Sequence, residues 1–294
     1  MIDKNPRRPT PRPQFDGPQL VRRSDAAPHV WGDAAGGLVT DRVISSTDQL
    51  HVLEFELPPG GWFRHTADNP TLFAADVAYL CVSGTLVLAD PETGETAVAP
   101  AGSGLYFGRD TWHHGFSLGD RTTRVIEFMS PPPSRGTAST YGRTKPLLEV
   151  STYADRRWAG RWPAAMDEQR ATRRLHPLRV EDALLSFRDD SPGHLVQTLL
   201  DTEFLTVTRG TVQPGVVDEF RSTPDELVLC LLTGELWVDV RTADGAEPSY
   251  WPSCLQPGDS CFVPAGHELR LLVRSDAPAT YLQGCGRVPV DWQP

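Results

Sequence analysis

Cysteine is scarce in this chain: five among 294 residues, at Cys81, Cys230, Cys254, Cys261 and Cys285. They are odd in number and widely scattered, and no Cys-x-x-Cys occurs. This argues against a disulfide framework or a structural zinc site and fits a reducing cytoplasm. Cys81 and Cys230 stand in apolar runs and read as small core side chains. Basic residues are in the minority, with 28 Lys and Arg against 38 Asp and Glu, for a net charge of −10. Such a balance disfavours nucleic acid as a partner. No apolar run reaches the length of a membrane span, and the start MIDKNPRRPTPRPQF lacks an apolar secretory core. A membrane partner is therefore not expected. Long helical heptads are missing as well.

Turn formers are plentiful, with 25 Gly and 27 Pro. They punctuate short β-branched and aromatic runs, the pattern of an all-β chain. Residues 1–27 read as a polar N-terminal arm. In HVLEFEL, Leu53, Phe55 and Leu57 alternate with Val52, Glu54 and Glu56, as in a strand with one buried face. His51 opens that strand and reads as a surface or edge histidine. Three consecutive prolines, Pro131–Pro133, end a first domain over 28–135. Residues 136–177 read as a linker or lid, with a short helix over Pro163–Arg174. Trp158 and Trp162 in this stretch are expected to cover an apolar surface. A second domain spans 178–294.

Two passages carry the chemistry. Leu57–Leu88 joins Trp62-Phe63-Arg64-His65 to two strands around Ser83-Gly84. Ala101–Phe128 runs through Gly102, Arg109, Asp110 and the phrase TWHHG to a closing strand, RVIEF. The pair resembles the two motifs of the cupin superfamily, and a fainter copy lies over Thr211–Val273. The resemblance implies an all-β protein of two cupin-type jelly-roll β-barrels with a partly helical linker, a bicupin. Gly102 and His113 are 11 residues apart, as in the family's second motif. TWHHG is similar to the same region of gentisate-type ring-cleaving dioxygenases. The sequence departs from the first motif. Gly84 matches its glycine, but Val77 occupies the glutamate position and Asp76 lies one residue earlier. Glu226 has the same offset before Gly234. In the second copy Leu269 takes the histidine position, so that barrel is expected to lack a metal.

The resemblance implies a divalent first-row metal, Fe(II) before Zn, Mn or Ni, on His65, Asp76 and His113, with a metal-free site as the alternative. Tyr79, Asp76, His113 and Arg64 are the candidate catalytic residues. Arg64 and Arg109 are candidates to hold a substrate carboxylate. Trp62, Phe107 and Trp112 are candidates to line an apolar slot. His114 reads as a neighbour of the site, because adjacent strand residues face opposite ways. Glu127 would be a ligand or general base if it faced inward; a structural role is the favoured reading. The implied partner is a small-molecule substrate, and a homodimer is compatible with the fold. Three functions follow: a non-haem oxygenase acting on a small organic acid or aromatic metabolite; a cupin isomerase, cyclase or lyase; and a non-catalytic binding protein.

Overall fold

A computed structural model describes residues 10–67, 71–133, 147–188, 192–242 and 250–289. The part before the linker holds β1 (Gln19–Val21), β2 (Ala27–Asp33), β3 (Gly37–Ser46), β4 (His51–Leu57), β5 (Trp62–Phe63), β6 (Asp76–Ser83), β7 (Thr85–Ala89), β8 (Thr96–Pro100), β9 (Gly104–Phe107), β10 (His114–Ser117) and β11 (Thr123–Ser130). The described part of the linker carries a short 3-10 turn at Arg156–Trp158, the α-helix α1 (Met166–Thr172) and then β12 (His176–Leu178). The remainder holds β13 (Leu184–Phe187), β14 (His194–Asp201), β15 (Leu205–Val212), β16 (Arg221–Thr223), β17 (Glu226–Thr233), β18 (Leu236–Thr242), β19 (Tyr250–Leu255), β20 (Ser260–Val263), β21 (His267–Leu272) and β22 (Ala279–Gly286). No helix among the described residues is long and apolar enough to cross a membrane.

The strands form two lobes of the same design. The first pairs a seven-stranded sheet, β12-β9-β6-β11-β4-β3-β2, with a four-stranded sheet, β5-β10-β7-β8. The second pairs β1-β20-β17-β22-β15-β14-β13 with β16-β21-β18-β19. Every strand pairing among the described residues is antiparallel. The expected all-β architecture with a short helical linker is present, as a bicupin-like pair of stacked-sheet lobes. The ladders are four separate sheets rather than closed cylinders.

Two strands are exchanged. β1 precedes the first lobe but pairs with β20 of the second, Leu20 opposite Cys261. β12 precedes the second lobe but pairs with β9 of the first, Pro177 opposite Leu105. The two large sheets also face each other. Their apposed surfaces bury Val52, Leu80, Ile126 and Phe128 from the first lobe against Val207, Val228, Phe262 and Leu282 from the second.

Strand alternation decides which residues reach each lobe's interior. On β6, Val77, Tyr79 and Cys81 point into the first lobe, while Ala78 and Leu80 join the core between lobes. The registers make the two lobes comparable residue by residue. Tyr79 pairs with Glu127, and Leu229 pairs with Gln283. Gly84 and Gly234, both at positive φ, follow five residues after Tyr79 and Leu229. Each packs where a Cβ would strike the start of the closing strand, at Thr123 or Ala279. The second lobe's counterpart of Glu127 is thus Gln283, and that of Glu54 is Arg209.

Candidate active site

The first lobe encloses a cavity of about 120 Å³ between its sheets. Its apolar walls include Trp31, Phe55, Phe63, Phe73 and Met129. Asp41, His51, Tyr79, His113 and Glu127 also line it. Among the described residues no Lys or Arg lines it. The volume is close to that of an apolar cavity able to hold benzene, about 150 Å³.

His113 sits at the end of the turn leading into β10 and is buried. Phe107 packs 4.2 Å from its ring, and Phe73 and Phe63 at 5.5 and 5.9 Å. Its Nδ1 lies 3.4 Å from the Thr111 carbonyl and its Nε2 lies 3.3 Å from the Tyr79 hydroxyl. These partners assign the tautomer: Nδ1–H donates to the carbonyl and Nε2 accepts from Tyr79. Burial lowers the His113 pKa to about 4, so the ring is neutral at neutral pH. Burial, with Glu127 and Asp41 adding to it, pushes the Tyr79 phenol well above its ordinary range.

Glu127 lies across the ladder from Tyr79, on the same face of the sheet. Burial, and then the nearby Asp41, raises its pKa to about 8. Among the described residues no hydrogen bond or ion pair reaches its carboxyl. A buried carboxyl without a partner is held in the neutral acid form and can donate a proton. Asp41 is raised as well by burial, although His29 Nδ1 stands 3.0 Å from its Oδ2 and opposes the shift. His51 Nδ1 is 2.9 Å from Ser46 Oγ. Burial, then His29, lowers the His51 pKa to about 4.

The other sequence candidates lie elsewhere. Phe63 enters the core from β5, so Trp62 and Arg64 take the opposite face. There the Arg64 guanidinium lies over Trp62 at 4.7 Å, with Phe116 and Tyr153 at 5.6 and 5.8 Å. β5 ends at Phe63, and strand parity no longer carries His65 inward. Its Nε2–H donates to the Leu148 carbonyl at 2.8 Å, and its Nδ1 accepts from His114 Nε2–H at 2.6 Å. The Tyr153 hydroxyl donates to His114 Nδ1 at 2.9 Å. Trp112 is buried with its ring 4.7 Å from that of His65. This chain fastens residues 148–153 to the outside of the lobe. Burial first, then His65, His113 and Arg64, lowers the His114 pKa to about 3.

Asp76 opens β6 on the side opposite Val77 and Tyr79, where its Oδ1 accepts from the Tyr106 hydroxyl at 3.1 Å. Its counterpart Glu226 accepts from Thr47 Oγ1 at 2.6 Å, a contact between lobes. The shared offset is therefore a shared geometry, directed away from both interiors. Arg109 lies over Phe204 of the second lobe at 5.2 Å. The structure brings together Tyr79, Phe107 and His113; it does not bring His65 or Asp76 to them. Among the described residues no group of three or more His, Cys, Asp or Glu side chains is placed to hold a metal ion. The donor set does not fit the metal that the resemblance implies.

Sequence reasoning passed over Asp41 and His29 and gave His51 and Glu127 minor roles. The signal for two of them was present. His51 continues the inward parity of Leu53, Phe55 and Leu57. Glu127 shares parity with Val125 and Met129, both in the first lobe's core.

Three histidines held neutral by the fold set the acid limit of stability. His51, His113 and His114 have folded pKa values of about 4, 4 and 3 against an ordinary 6.5. Their contribution is present above 6.5 and is lost as pH falls below it, because the unfolded chain takes up protons first. Urea unfolding should show stability decreasing between about pH 6.5 and 4, with a shallower decrease in His114→Gln.

No protein-family model matches the chain, and no curated protein matches it. Solved structures do. A putative glyoxylate-induced protein from Pseudomonas aeruginosa shares 14% identity at a TM-score of 0.64, over 97% of this chain and 96% of that one. The Lactobacillus farciminis oxalate decarboxylase formate complex shares 14% at 0.61, over 91% and 86%. Bacillus subtilis oxalate decarboxylase at pH 4.6 shares 15% at 0.59, over 94% and 78%. Across almost its whole length, the chain shares the two-lobed fold of these solved structures.

Proposed function

We propose that the protein is a cupin-type enzyme of the isomerase, cyclase or lyase class, working by general acid–base chemistry in the first lobe. The observation that carries this reading is Glu127: a carboxyl on the cavity wall, without a partner among the described residues and with its pKa raised to about 8. An acid tuned near the working pH is suited to proton transfer. Glu127 donates a proton to the substrate or, once ionised, withdraws one. Neutral His113 and the Tyr79 hydroxyl, 3.3 Å apart, orient a second polar atom.

The walls constrain the substrate. The cavity is small and largely apolar, and among the described residues two acids line it and no Lys or Arg does. It favours a neutral molecule of about benzene size over an organic acid. Arg64 and Arg109, the candidates for binding a carboxylate, are both engaged outside it. The solved relatives include a study of Mn(II) centres in Bacillus subtilis oxalate decarboxylase. Among the described residues this chain has no group of ligands for such a metal.

The test uses the full chain treated with chelator, in D2O, with a panel of small neutral enolisable carbonyl compounds. Proton NMR reads solvent deuterium entering the substrate. Incorporation that falls at least about a hundredfold in Glu127→Gln supports the assignment, the usual scale for a general acid or base. Incorporation that is absent, independent of Glu127, or dependent on added iron or manganese overturns it.

A further inference from the structure

A second cavity, of about 390 Å³, opens between the lobes and is distinct from the first. It falls within the size range of small-molecule sites, about 300–1,000 Å³, and domain junctions are a preferred place for them. Its floor is apolar, built from Leu80 and Ile126 of the first lobe and Leu231 and Leu282 of the second. Among the described residues its charged lining is Arg23, Arg124, Arg209 and one acid, Glu54.

These charges are not balanced. Glu54 is held by Arg23 Nη2 and by Arg124 Nη2, both at 2.6 Å. Arg42 joins the group through Glu56 at 3.2 Å. Four arginines and two glutamates leave two positive charges concentrated here, in a chain whose net charge is −10. The excess centres on Arg209. It occupies the second lobe's counterpart of the Glu54 position, yet the two do not pair, because Arg23 and Arg124 occupy the carboxylate. Arg209 Nη1 donates to the neutral Gln197 Oε1 at 2.5 Å. Among the described residues no carboxylate stands within ion-pair distance of it. A half-buried guanidinium bordering an apolar floor is complementary to an anion that carries an apolar body.

We propose that the cleft between the lobes binds a small amphipathic organic carboxylate, with its acid group on Arg209 and its apolar body against Leu80, Ile126 and Leu282. This site is separate from the first-lobe cavity, and it stands whether or not Glu127 is catalytic.

The test is calorimetric titration of the full chain with octanoate, and with 1-octanol as the uncharged probe. Saturable binding of one octanoate per chain is expected, weakened by added salt, with 1-octanol binding at least tenfold more weakly. Arg209→Gln, and separately Leu232→Trp, which fills the cleft from its second-lobe wall, should each weaken octanoate at least tenfold. Glu127→Gln should leave it unchanged. Absence of saturable binding by the unaltered protein, or affinity retained in either cleft variant, overturns the proposal.

Discussion

A Glu127→Gln protein should be more stable than the unaltered one at alkaline pH, and the gap should close as pH falls. The sign follows from linkage. The folded state raises the Glu127 pKa to about 8 against an ordinary 4.5. Between these values the unfolded chain has released this proton while the folded chain still holds it. Stability therefore falls as pH rises through this window and levels off once the folded carboxyl also ionises. From about pH 5 to about pH 9 the difference between the two proteins should widen by about 4 kcal/mol. Asp41, also raised by burial, retains its own share of the alkaline decrease in the variant. Glutamine fits the position sterically, since the equivalent strand site of the second lobe is Gln283. Urea unfolding at the two pH values measures the effect. Equal pH dependence in the two proteins would place Glu127 in contact with water or a cation, and the neutral-acid assignment would fail. The same substitution is expected to abolish proton transfer to substrate. Lost activity combined with gained alkaline stability distinguishes a tuned acid from a structural one.

The second large effect concerns the junction between the lobes. Phe128 is fully buried and lies against Gly284 of the facing sheet. A Cβ at Gly284 would stand 2.1 Å from the Phe128 ring, an approach that neither backbone can relieve cheaply. Phe128→Ala should cost about 3–5 kcal/mol through lost burial and the cavity left behind. Gly284→Ala should cost about 1–3 kcal/mol through overpacking. The two changes should not add. With Gly284→Ala in place, Phe128→Leu should restore part of the loss, giving a coupling of about 1 kcal/mol or more. Denaturant unfolding of the four proteins of that cycle checks it. Strict additivity would mean that the sheets do not dock through this pair. The exchanged strands β1 and β12 make the junction consequential, because each lobe completes its large sheet with a strand from beyond its own segment.

The all-β character, the two-fold repetition and the glycines at Gly84 and Gly234 were legible along the chain. They depend on local chemistry: alternation of apolar residues, turn formers, and backbone angles that side chains disfavour. His113 was singled out by the resemblance, through its spacing from Gly102, and the structure buries it on the wall of the first-lobe cavity. The inward direction of Glu127 was encoded in the alternation of RVIEF, but alternation alone does not say which face meets the lobe's interior and which meets the other lobe. Both faces of β6 and β11 are buried, so hydrophobicity cannot distinguish them. Asp76 was a candidate because it lies one residue from the motif position that Val77 occupies, and it points away from the interior, where its Oδ1 accepts from Tyr106.

Other features required chain segments distant in sequence to meet. His65 and Arg64 are drawn outward because β5 is only two residues long and because residues 148–153 return to cover that face. Asp41 and His29 become part of the site through the pairing of β2 with β3. The raised pKa of Glu127 exists only once the lobe has removed water from it and brought Asp41 near. Sequence pattern thus specified the strands and their repeats, because periodicity and turn chemistry are local. The choice of interior face, the exchange of strands and the state of the acid rest on packing, since burial and charge proximity arise only when the sheets meet.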